Sequence, residues 1–77
     1  MVVGFKFEPQ TVRAQIIKKA KDLMRKAGLD LVVANSVVKN RYLAYIVTPV
    51  KVYGCFSSKQ AMSKALADLI GINLCRN

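Results

Sequence analysis

Leu29-Asp30-Leu31-Val32-Val33-Ala34 is apolar at every position but one. A strand with one wet face alternates apolar and polar residues. A run this continuous belongs inside a sheet covered on both faces, as parallel strands are. Val2 to Phe7 is a second such run, apolar with one lysine, and it stops at Glu8-Pro9. Between the two the period changes. From Thr11 to Ala27, Ile16, Ala20, Leu23 and Ala27 recur at helical spacing, Ile17 and Met24 widen the stripe, and Gly28 is placed to end the helix. The pattern predicts a β-α-β unit with parallel strands and a right-handed crossover.

Asn35 to Asn40 reads as a polar connection, Arg41 to Thr48 as a third strand, Thr48-Pro49 as a turn and Val50 to Phe56 as a fourth strand. The last two strands are close enough to form an antiparallel hairpin. Ser57 and Gln60 match a capping box opening a final helix. Its stripe is Met62, Ala65, Leu66, Leu69 and Ile70, and Gly71 is expected to close it. The order β-α-β-β-β-α predicts a three-layer α/β sheet in one domain spanning residues 1–77. Two helices hardly cover both faces of four strands, so a partner surface is expected.

Composition narrows the chemistry. The chain has 77 residues, 53% of them hydrophobic, and a chain this short buries only roughly 60% of its unfolded surface. Cys55 and Cys75 are the only cysteines, and there is no histidine. A disulfide framework, most zinc geometries and the usual general base are therefore excluded. The four acidic residues form no cluster in sequence, which argues against a metal site made by the chain itself. No apolar run approaches the ~20 residues that span a bilayer, and the first residues lack a signal-peptide pattern. A cytoplasmic protein without membrane contact is the expectation. The net charge of +9 calls for polyanions: a nucleotide's phosphates, nucleic acid or anionic lipid.

Two stretches carry a family likeness. Val2-Val3-Gly4-Phe5-Lys6-Phe7-Glu8 resembles the V-G-F-x-x-E strand and loop of phosphopantothenate–cysteine ligases, and Leu29 to Asn35 resembles their L-D-hydrophobic-hydrophobic-V-A-N. Tyr45-Ile46-Val47-Thr48 and the helix after Ser57 match the remaining strand and last helix. The resemblance implies a partial Rossmann-like fold, dimerisation and a place in coenzyme A biosynthesis. It further implies CTP or ATP as co-substrate with Mg2+. By the same resemblance Phe5 lies beside the nucleotide, and the basic helix reaches its triphosphate through Lys21, Arg25 and Lys26, with Lys26 the best single match. Ser36 stands where bacterial members carry Asp, and the family's G-F-x-S-D-x-N stretch is replaced by Val37 to Tyr42. The Gly-rich half that grips phosphate in the family has no counterpart in these residues. The chain is accordingly expected to be a C-terminal ligase segment, inactive alone, completed by a homodimer partner or by that half.

The plainer reading of each feature stands beside this one. Lys18, Lys21 and Arg25 form a cationic helix face that water could solvate, and Phe5 and Phe7 read from sequence as core. Both cysteines read as inert thiols. A small nucleic-acid-binding module without enzymatic activity is the second expectation, and an oligomerisation domain the third.

Overall fold

The computed structural model describes residues 2–9 and 12–75, with side chains to residue 71. Six elements follow in order: β1 (Val3–Phe7), α1 (Arg13–Ala27), β2 (Leu31–Val38), β3 (Arg41–Val47), β4 (Val52–Phe56) and α2 (Lys59–Cys75). The four strands form one sheet in the order β1-β2-β3-β4. β1 and β2 run parallel with Phe5 opposite Val33, and the other neighbours are antiparallel. The fold is α/β, a three-layer partial Rossmann-like arrangement.

Alternation along the strands divides the core in two. Val32 and Ala34 of β2, with Tyr45 and Val47 of β3, face Ile16, Ala20 and Met24 of α1. Leu31, Val33, Ala44 and Ile46 face the other way, against Met62, Ala65, Leu66 and Leu69 of α2. Each helix therefore covers one face of the central strands. The α1 stripe is narrower than its sequence suggests: Met24 is buried, Leu23 only partly, and Ala27 is exposed.

Two glycines sit where a side chain would meet strain or a close neighbour. Gly28 caps α1 at φ 65°, its N–H bonding the Met24 carbonyl, as a left-handed C-cap should. At Gly4 a Cβ would sit 2.4 Å from Cδ1 of Leu29, the flexible end of that side chain, which would have to shift to admit it.

Several boundaries differ from the sequence reading: β1 and β2 begin at Val3 and Leu31 instead of Val2 and Leu29, β3 ends at Val47 instead of Thr48, and four further differences stand out. Asn35 to Val38 is strand, not connection, and β2 turns into β3 through Lys39 and Asn40 alone, at φ 51° and 63°. Positive φ at both positions is the two-residue turn that matches strand twist. Ser36 and Val37 look loop-like, but pairing with Leu43 and Tyr42 satisfies their backbone. β4 starts at Val52 instead of Val50, because the Thr48 hydroxyl accepts from the Lys51 N–H and donates to its carbonyl, both at 2.9 Å. The cap of α2 is Ser58, whose Oγ accepts from Ala61 N–H at 3.1 Å, one residue later than the capping box predicts. Finally, α2 continues past Gly71 to Cys75, so that glycine closes nothing. Thr11, expected to open α1, lies outside the described residues. Among the described residues no helix is long and apolar enough to cross a membrane.

Candidate functional site

α1 presents its cations along one flank. Lys18, Lys21 and Arg25 rim a groove of about 680 Å³ whose floor is Ile17, Met24, Leu29 and Pro49. Spacings of three and four residues put the three cations on one side of the helix. Asp22 also lines the groove, and its carboxylate accepts a hydrogen bond from Arg25. Among the described residues Lys18 and Lys21 have no ion-pair partner, which leaves their charge open to an anion, and Arg25 offers the donors that Asp22 leaves. Lys26 is exposed on the same helix but does not line the groove.

Phe5 lies elsewhere. Val3 packs into the α2-side core, and by alternation Phe5 and Phe7 point to that same side of β1. Neither is a core residue: Phe5 is 63% exposed and Phe7 57%. The structure thus brings Lys21 and Arg25 together and leaves Phe5 on the opposite face of the sheet.

A second hollow, of about 340 Å³, lies beside Phe7 and is lined by Asn35, Val37, Tyr42, Lys59 and Met62. It joins the carboxyl end of β1 to the start of α2, the end of an α/β sheet where ligands commonly sit. The Tyr42 hydroxyl donates to Asn35 Oδ1, leaving the Asn35 amide N–H groups uncommitted to Tyr42. Burial raises the Tyr42 pKa above its ordinary value of 10.0, so the phenol stays a donor. Sequence reasoning noted Asn35 and Tyr42 separately. Their pairing depends on the β2–β3 register, which the apparent loop at Asn35 to Asn40 concealed.

Tyr45 is the buried tyrosine of the α1 face. Its hydroxyl is raised in pKa by burial first and by the neighbouring Cys55 thiol second, while the Arg13 guanidinium, 5.6 Å from the ring centre, opposes the shift. Among the described residues no group of three or more His, Cys, Asp or Glu side chains could hold a metal ion.

No protein-family model matches the chain, and no curated protein matches it either. A solved structure does: the DNA/pantothenate metabolism flavoprotein from Streptococcus pneumoniae superposes with a TM-score of 0.80 at 19% sequence identity. The two share a fold. The match covers 92% of this chain but 32% of the flavoprotein chain, so nearly every element described above has a counterpart there. This chain spans about a third of the flavoprotein's length.

Proposed function

We propose that this chain is the C-terminal segment of a phosphopantothenate–cysteine ligase, contributing cations to a nucleotide triphosphate and incomplete as a catalyst by itself. One observation carries the reading. The V-G-F run and the L-D-L-V-V-A-N run are neighbouring parallel strands joined by the basic helix, with Phe5 beside Val33. Two short motifs that meet in space support a family resemblance far better than two that merely share a sequence. The fold likeness to a pantothenate metabolism flavoprotein points the same way.

In this reading Lys21 and Arg25, backed by Lys18, meet the phosphates along the α1 groove, and Lys26 extends the positive field at the helix C-terminus. A nucleotide also touching Phe5 would have to pass around β1, because Phe5 is on the other face. The described side chains offer no cage for Mg2+, so the ion would arrive on the triphosphate, and no step is routed through it. The backbone N–H loop that ordinarily grips phosphate would come from the Gly-rich half or a partner chain. No general base is assigned, and the acyl transfer itself belongs to the completed protein.

The test is calorimetric titration of the full chain with CTP and with ATP, each with Mg2+. Binding that weakens at least tenfold in Lys21→Ala is expected, since a hydrogen bond to a charged group contributes about 1.5–3 kcal/mol, and Lys26→Ala, outside the groove, should weaken it less, through the lost positive field alone. Millimolar nucleotide with no heat, or binding indifferent to both substitutions, would remove the proposal.

One observation favours a second reading, a nucleic-acid module: Phe5 and Phe7 are exposed side by side, as base-stacking aromatics must be. It ranks second because the cationic helix flank lies on the opposite face from those rings. Binding of a single-stranded oligonucleotide that collapses between 50 and 500 mM salt, with no response to nucleotide, would put it first.

A further inference from the structure

The hollow beside Phe7 differs in chemistry from the α1 groove and lies on the other side of the sheet. Odd-numbered positions of β1 and β2 face α2, so Phe7, Asn35 and Val37 share that side with Met62. Register brings the walls together: Phe7 stands opposite Asn35 across β1 and β2, and Val37 opposite Tyr42 across β2 and β3. Phe7, Val37 and Met62 make an apolar surface, with the Phe7 ring half exposed and Met62 buried. The polar groups left over are donors. Tyr42, kept protonated by burial, occupies the Asn35 carbonyl oxygen, and because the two arms of an amide diverge, Asn35 offers the hollow its N–H groups. Lys59 offers an ammonium, and among the described residues it makes no ion pair. Among the described residues no acid lines the hollow.

We propose that this hollow binds a small aromatic carboxylate, its ring between Phe7 and Met62 and its carboxylate on the Asn35 amide and the Lys59 ammonium. The donors select the charge. An amide N–H and an ammonium with no acid between them are matched by a negatively charged acceptor, and the two oxygens of a carboxylate serve both. The walls select the body. An aromatic ring packs offset against Phe7 and meets the Met62 sulfur at its edge, contacts that an aliphatic chain of the same area lacks. Size sets the limit. At about 340 Å³ the hollow stands at the lower end of ligand pockets, roughly 300–1,000 Å³, which suits one ring and one carboxylate in place of a nucleotide triphosphate.

A ligand of about ten non-hydrogen atoms in an open hollow binds in roughly the millimolar range. The net charge of +9 draws any anion toward the chain, so specific capture has to be told from loose attraction. The hollow and the α1 groove have no lining residue in common. This inference therefore does not depend on nucleotide binding and can fail or stand apart from it.

Phenylacetate titrated into the full isotope-labelled chain at about 150 mM NaCl tests it by amide chemical shifts. Saturable shifts centred on Phe7, Asn35, Val37 and Met62 are expected, with acetate and phenylacetamide each binding at least tenfold more weakly. Lys59→Met, which removes the ammonium and keeps the side-chain length, should weaken phenylacetate at least fivefold. Asn35→Asp keeps an acceptor for Tyr42 but sets a carboxylate against the ligand's own, and should weaken it at least tenfold. Lys64→Met, the same loss of charge at an exposed α2 residue outside the hollow, should change it less than twofold. Circular dichroism checks that each variant folds. No saturation up to about 50 mM overturns the proposal. So do shifts centred on Lys18, Lys21 and Arg25, acetate or phenylacetamide binding as tightly as phenylacetate, or equal weakening in Lys59→Met and Lys64→Met.

Discussion

Lys19 Nζ lies 3.1 Å from Oε2 of Glu8, tying α1 to the end of β1. Lys6 reaches the other carboxylate oxygen at 3.2 Å, so Glu8 joins the first strand to the helix that crosses over it. In a chain with four acidic residues, this one serves two cations.

Glu8 makes the acid limb of stability predictable. Its pKa is held below the ordinary 4.5 by the hydrogen bond from Lys19 first and that from Lys6 second. A depressed carboxylate stabilises the fold above its unfolded pKa, and that contribution disappears as pH falls through the folded value. Melting temperatures between pH 7 and pH 3 should fall less steeply in Glu8→Gln than in the parent below about pH 4.5. Parallel curves would show that Glu8 does not tie the two elements.

Ser36 offers the opposite kind of test. Its Oγ is fully buried on the α1 side of β2 with no hydrogen-bond partner. A buried orphan hydroxyl costs about 1–3 kcal/mol, so Ser36→Ala should raise the unfolding free energy by about 1 kcal/mol in urea titration. A loss instead would mean that an ordered water or a relaxed contact satisfies the hydroxyl.

The β2–β3 turn holds Lys39 and Asn40 at positive φ. Asparagine tolerates that region, but a β-branched residue does not. Asn40→Val should destabilise by about 1–2 kcal/mol, and Asn40→Gly should be neutral or stabilising by a few tenths. Equal effects from the two would contradict the turn geometry.

The two serines before α2 should respond differently. Ser58→Ala removes the hydroxyl that accepts from Ala61 and should cost about 0.5–2 kcal/mol, while Ser57→Ala should fall near zero. Chemical denaturation of both variants decides which serine caps the helix.

How far the fold could be read in advance follows from where the signals were local. The change from continuous apolar run to 3.6-residue period and back specified β1, α1 and β2, and Gly28 ended α1 because a left-handed cap needs no information beyond its own turn. Ser36 and Val37 defeated the same reasoning, since only the pairing partner Tyr42-Leu43 turns that polar stretch into strand. The cap shifted from Ser57 to Ser58 for a related reason. Both serines fit the local signature, and the path of the chain out of β4 selects one.

The candidate site divides along the same line. Which residues are cationic, and that Lys18, Lys21 and Arg25 share a helix flank, were properties of sequence, because a helix converts spacing into direction without help. Their separation from Phe5 was decided by the tertiary structure. A strand's alternation says which residues share a face, but only the packing of α1 on one side and α2 on the other says which face that is. The same packing left Phe5 and Phe7 uncovered, since two helices centred on β2, β3 and β4 do not reach the edge strand.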